Sequence, residues 1–167
     1  MLSGFGLILC ACSVSSPLAV RSIASDGLAP EAQIAITLPD DGSAPLTHQF
    51  AKALIAALET SGMEISPDGR LIADYAVSVS PAQIGLREAG GTTEVPTNQP
   101  EWIAEPRPRK RFDECDAQQL RGTLLLIDRS TGQTLYRGQG AATECEFGED
   151  KIRELAVKLV ADLAARR

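Results

Sequence analysis

Leu120-Arg121-Gly122-Thr123-Leu124-Leu125-Leu126-Ile127, followed by Asp128-Arg129-Ser130-Thr131-Gly132-Gln133 and then Thr134-Leu135-Tyr136-Arg137, is the stretch from which the fold can be built. An apolar run, a polar segment with one Gly and a second short run rich in Thr, Leu and Tyr together spell a β-hairpin. Residues paired across a hairpin have numbers with a nearly constant sum. A three-residue Ser-Thr-Gly loop pairs Arg129 with Gln133, which fixes that sum at 262. Cys115 and Cys145 give 260. A small bulge therefore brings these two cysteines together at the open end of the hairpin, and the spacing predicts a Cys115–Cys145 disulfide. The alternative is a pair of buried thiols. A zinc site is disfavoured, because two Cys and the distant His48 do not supply four ligands at recognisable spacing.

Outward from the hairpin, periodicity supplies the rest. Ile152, Leu155, Ala156, Leu159, Val160 and Leu163 recur at i, i+3, i+4, i+7, i+8 and i+11, an amphipathic helix, and Arg166 and Arg167 suit its C-terminal dipole. Upstream, Tyr75, Val77 and Val79 alternate with Ala76, Ser78 and Ser80, giving a strand with one buried face. Pro81 ends it or marks a bulge; in the second case Ile84-Gly85-Leu86 is its continuation. Pro67-Asp68-Gly69 reads as a turn. From about 88 to 108 the chain is rich in Gly, Thr, Pro and Glu without a period, and a long loop is expected. Trp102 lies in that loop and either folds back onto the domain or marks a partner surface.

Ala32, Ile34, Ile36 and Leu38 alternate with polar or small residues, and Pro39-Asp40-Asp41-Gly42 stops the run; this is a first strand. Ser43-Ala44-Pro45 then reads as a helix start with Ser43 as the cap and Pro in the first turn. Phe50, Ala53, Leu54, Ala57 and Leu58 form the helix's apolar stripe, and Gly62 supplies the left-handed residue that closes it. The order is strand, helix, three strands, helix. The expected fold is α+β: a single four-stranded, mostly antiparallel sheet with two helices on one face (βαβββα).

The chain has 167 residues, 44% hydrophobic and 23% charged, which suits one domain over residues 32–167. Its net charge of −6 with no basic face argues against nucleic acid. The one basic cluster, Arg107, Arg109, Lys110 and Arg111, sits beside Glu101, Glu105, Asp113 and Glu114, so it reads as a solvated loop. Glu114 and Asp116 flank Cys115, and Glu144 and Glu146 flank Cys145, so the disulfide would gather four carboxylates at the hairpin mouth. They are a weak candidate for a divalent cation, and a solvated acidic rim is the simpler reading. His48 lies off the apolar stripe with no evident nucleophile beside it. No cofactor and no catalytic residue is expected.

At the N-terminus, Gly6-Leu7-Ile8-Leu9-Cys10-Ala11-Cys12 is too short to span a bilayer and reads as a secretion signal, although Met1–Gly4 lacks the usual Lys or Arg. Leu9-Cys10-Ala11-Cys12 resembles the lipobox of bacterial lipoproteins. That resemblance implies cleavage after residue 11 and acylation of Cys12. Residues 12–31, rich in Ser, Ala and Pro with little periodicity, read as a flexible tether. Ser13 after the Cys implies the outer rather than the inner membrane.

The mature sequence resembles small Gram-negative lipoproteins built around a domain of unknown function. The resemblance rests on Leu58-Glu59-Thr60-Ser61-Gly62, on Ala73-Asp74-Tyr75-Ala76-Val77, on Gly122-Thr123-Leu124-Leu125-Leu126-Ile127-Asp128, and on Thr131-Gly132-Gln133-Thr134-Leu135-Tyr136-Arg137-Gly138. The family typically has Trp where Tyr136 stands. It has no established catalytic residues, so none is carried over. The signal, the expected disulfide and the lack of a catalytic constellation together point to a non-catalytic binding or assembly module, lipid-anchored and periplasm-facing, with an envelope protein as partner. The alternatives are an auxiliary subunit of an envelope transport or peptidoglycan machine, and a periplasmic hydrolase.

Overall fold

The computed structural model describes residues 16–25, 32–40, 42–82, 86–87, 102–104 and 115–166. The elements in chain order are β1 (Ser16–Ala24), β2 (Ile34–Ile36), α1 (Pro45–Thr60), β3 (Leu71–Pro81), β4 (Leu86–Arg87), β5 (Trp102–Ala104), β6 (Gln118–Asp128), β7 (Thr134–Glu144) and α2 (Glu149–Ala164). The fold is α+β, as the periodicities predict. The main sheet has five strands rather than four, in the order β1-β7-β6-β3-β2, and it is mixed: β2 runs parallel to β3 and the remaining pairs are antiparallel.

The hairpin register follows the expected sum, from Leu126 opposite Tyr136 down to Gln118 opposite Glu144. A shift between Leu126 and Ile127 puts Ile127 opposite Thr134. The turn is closed by the Gly132 amide donating to the Asp128 carbonyl, with Gly132 at φ 70°. Only a residue without a Cβ adopts that backbone cheaply.

Alternation decides which face of the sheet is covered. Leu120, Leu124 and Leu126 of β6, Leu71 and Ala73 of β3, and Tyr136 and Ala142 of β7 point to the helix layer and are buried. The α2 residues expected to face inward, Ile152, Leu155, Ala156, Leu159, Val160 and Leu163, are the ones that do. On α1, Phe50, Leu54, Ala57 and Leu58 are buried as expected, but Ala51 is buried with them and Ala53 is only half-buried. The α1 helix packs on β3, while α2 crosses β7, β6 and β1.

The close approach of α2 depends on two glycines that face each other across the hairpin, Gly122 and Gly140. A Cβ at Gly122 would lie 2.6 Å from Leu155 Cδ2, and one at Gly140 would meet Leu155 Cδ1. The pair forms a slot for the fully buried Leu155. Tyr136 is buried beside it, its hydroxyl donating to the Leu159 carbonyl at 3.1 Å and the Asp162 carboxylate at 3.0 Å.

Three expectations are corrected. The segment 12–31 is not all tether, because Ser16–Ala24 is an edge strand paired with β7. Its inward residues are Leu18, which is buried, and Val20, which is half-buried; small and polar neighbours dilute that alternation below recognition. Lys158 of α2 donates to the Leu18 carbonyl at 3.2 Å, which ties this edge to the helix layer. The long loop expected over 88–108 contains β5, which pairs with β4 in a separate two-stranded sheet, so Leu86 does not continue β3. Helix α1 is capped by Ala44 without a side-chain bond, not by Ser43, and Pro45 is its first residue. Its C-terminus matches the expectation. Gly62 at φ 75° donates to Glu59 and Met63 donates to Leu58, a Schellman closure.

Candidate functional site

The face of the sheet opposite the helices carries no covering layer among the described residues. Its rows follow from the cross-strand register. One row is Ile23, Arg137, Leu125 and Asp74; the next is Arg21, Gln139, Thr123 and Ala76; a third is Ala19, Ala141, Arg121 and Ser78. Small residues along the second and third rows leave a shallow trough of about 620 Å³ between Arg21 and Arg121, with Gln119, Gln139, Ser78 and Thr123 in its walls. That is the size of a small-ligand site, but no aromatic side chain lines it, and Pro17 and Val77 are its largest apolar residues.

The electrostatics of this face are one-sided. Arg21, Arg121 and Arg137 are exposed, and no described carboxylate forms an ion pair with any of them. Arg121 is held by donating from Nε to Gln119 Oε1 at 2.8 Å. Asp74 is the sole carboxylate in the three rows. Arg121 and Arg137 were not singled out from the sequence, although they fall on one phase of the hairpin's alternation. Nor was Arg21, because the strand that carries it gives too weak a pattern.

The disulfide between Cys115 and Cys145 is present, with Cα atoms 5.6 Å apart, just beyond the last paired residues of β6 and β7. The carboxylates around it do not assemble a cation site among the described residues. Glu144 is engaged by Lys151 at 2.8 Å, and Lys151 also pairs with Glu154 at 2.9 Å. Hydrogen bonds donated to Glu144 and then Glu154 raise the Lys151 pKa, and those accepted from Lys151 and Lys158 lower that of Glu154. This is a charge ladder along α2, stabilising modestly at most because it is solvated. Glu114 lies outside the described residues.

The other sequence candidates separate. His48 bonds through Nε2 to the Asp40 carbonyl at 3.0 Å, an assignment that makes Nε2 the protonated nitrogen. Trp102 falls in β5, paired with Arg87, but its side chain lies outside the described residues. The buried charged residue the sequence did not single out is Asp128, 3% exposed, at the hairpin turn. Ser130 and Thr131 donate their backbone amides to Oδ1, the Ser130 hydroxyl donates there too, and Arg70 donates from Nε to Oδ2 at 3.0 Å. The Ser130 hydroxyl first, then Arg70, hold its pKa far below the usual carboxylate range, against a smaller opposing effect of burial. A carboxylate so fully occupied by its own turn is structural. Burial, then the neighbouring Asp162, push the Tyr136 phenol well above its ordinary pKa, so it stays neutral.

No protein-family model matches the chain, and no curated protein matches it in sequence. Solved structures share its fold. PelC from Paraburkholderia phytofirmans, a dodecamer, is 17% identical with a TM-score of 0.54, over 90% of this chain and 100% of that one. A point variant of the same dodecamer is 18% identical at the same score and coverage. A PDZ domain protein from Parabacteroides distasonis ATCC 8503 is 13% identical with a TM-score of 0.55, over 87% of this chain and 36% of that one. At these identities the likeness is one of fold alone.

Proposed function

We propose that this protein is a lipid-anchored lipoprotein of the cell envelope, facing the periplasm, that works as a non-catalytic binding or assembly module through its open sheet face. The observation that carries the reading is that face: a trough of about 620 Å³ flanked by exposed arginines, with hydrogen-bonding side chains in its walls. Such a surface suits the holding of something polar or anionic, and among the described residues its lining brings no nucleophile and base together. The Cys115–Cys145 disulfide supports an oxidising compartment. The lipobox resemblance at Cys12 supplies the anchor, and Ser13 favours the outer membrane. A narrower form of the reading is an auxiliary subunit of an envelope transport or peptidoglycan machine.

A second reading is a homo-oligomeric envelope assembly, because the PelC structures that share the fold are dodecamers. The surface available to a second copy is the outer groove between α1 and α2, where Ala53 and Ala56 flank Val157, which is 48% exposed. Sedimentation of the detergent-solubilised protein separates the two by mass.

The anchoring is tested by metabolic labelling with fatty acid. The expected result is a labelled wild-type chain in the membrane fraction and an unlabelled Cys12→Ser chain of slower processing. An unlabelled wild-type chain overturns the reading.

A further inference from the structure

We infer that the open sheet face lies down on the surface of an anionic bilayer, with Arg21 and Arg121 against lipid headgroup phosphates. This rests on the anchoring at Cys12 proposed above and adds an orientation to it.

The length of chain outside the sheet is the first support. Cys12 and the first strand residue, Ser16, are four positions apart, at most about 14 Å of extended chain. Ser16 itself forms the lip of the trough. Along β1, Ala19, in the row of Arg121, is three positions on, about 10 Å, and Arg21 is five positions on, about 17 Å. The whole face is therefore within reach of a headgroup layer that holds the acyl chains. A tether of twenty residues would have imposed no such closeness.

Charge is the second support. The net charge of −6 would repel the protein from an anionic surface if the chain acted as a point. At physiological salt the Debye length is about 8 Å, so the surface responds to the nearest face and not to the whole. The three rows of the open face carry three arginines against one carboxylate, Asp74. On α2, by contrast, Glu149, Asp150, Glu154 and Asp162 outnumber Lys151, Arg153 and Lys158. Ile23, 77% exposed, stands opposite Arg137 on the same face. An apolar side chain flanked by guanidinium groups is the pairing that suits a headgroup boundary.

An anchored domain needs no free affinity; it needs only a bias among orientations. Two arginines near an anionic surface, each worth about 1 kcal/mol, favour the face-on stance about 30-fold. The acylated full-length chain is placed on vesicles of phosphatidylcholine, with and without phosphatidylglycerol, doped with a lipid carrying a paramagnetic headgroup. Relaxation of backbone amides then reads proximity. On the anionic vesicles the amides of Thr123 and Gln139 should relax much faster than that of Val157 on α2. The face-on preference should fall about 30-fold on neutral vesicles and in the Arg21→Gln/Arg121→Gln chain, whose changed side chains are exposed. Equal relaxation of the two faces, or a preference unmoved by the double substitution, overturns the docking. Binding of a soluble polyuronate to Arg21 and Arg121 with no loss of that preference in lipid leaves it standing, whereas displacement from anionic vesicles at equal charge concentration assigns the face to a soluble polyanion and overturns it. An intact mass that shows no acyl group at Cys12 refutes the anchoring instead, and is read before the vesicles are made.

Discussion

Reduction of the Cys115–Cys145 disulfide should destabilise the domain without changing its fold. The bond joins residues 30 positions apart, with Cα atoms 5.6 Å from each other. In the chain-entropy model, closing a loop of that length removes enough freedom from the unfolded chain to stabilise the native state by about 3.7 kcal/mol at 25 °C. The native state should survive the loss, because the hairpin ladder holds its register independently from Gln118 opposite Glu144 to Leu126 opposite Tyr136. For a domain of this size the difference corresponds to a fall in Tm of about 10 °C. The assay is urea and thermal unfolding followed by circular dichroism, with and without a phosphine reductant, alongside the Cys115→Ser/Cys145→Ser chain. Reduced wild type and the double variant should coincide, both below the oxidised wild type, and the variant should ignore the reductant. If thiol titration shows the bond open and the urea midpoint has not moved by the equivalent of about 1 kcal/mol, the bridge does not constrain the unfolded chain in the way argued. Should the reduced protein also lose the near-ultraviolet signal of its packed core, the ladder alone does not hold the hairpin.

Gly122→Ala should destabilise by about 1–3 kcal/mol, because the new Cβ falls 2.6 Å from Leu155 Cδ2 and 3.1 Å from Phe50 Cζ in a filled core. Combined with Leu155→Ala the two costs should be clearly less than additive in urea unfolding, and simple additivity would show that the slot is not shared. Asp128→Asn should flatten the acid limb of stability. The folded carboxylate has a depressed pKa, so its contribution is complete above the unfolded value of about 4 and is lost as pH falls below it. Urea midpoints at pH 7 and pH 3 should therefore diverge more for wild type than for the variant, and an equal fall in both removes Asp128 from the cause.

The elements that could be read from the chain are those whose signals are local. The hairpin register came from a turn with one glycine and two flanking runs, and it located the disulfide because pairing in a hairpin is arithmetic. The α2 stripe was legible because six apolar residues hold one helical face without interruption. The C-terminus of α1 was legible because Gly62 alone can adopt the φ that closes it. The cap was misread because Ser43 has the right chemistry, while the backbone turns into helix one residue later, at Ala44.

Sequence by itself determined the buried stripe of α2, most of that of α1 and the inward phase of β3, since each of those segments carries its own period, whereas in β6 the unbroken apolar run 124–127 leaves the buried face to be chosen by the sheet. Tertiary structure alone decided that Ser16–Ala24 is a strand. Its own residues prefer nothing strongly, and it becomes ordered because β7 offers a row of unpaired backbone groups that must be satisfied. That one pairing sets Arg21 beside Gln139, two strands from Arg121, and so makes the cationic trough. It also leaves only three residues between Cys12 and the first strand. Neither consequence is written in any window of the chain, because both arise from hydrogen bonds between residues more than a hundred positions apart.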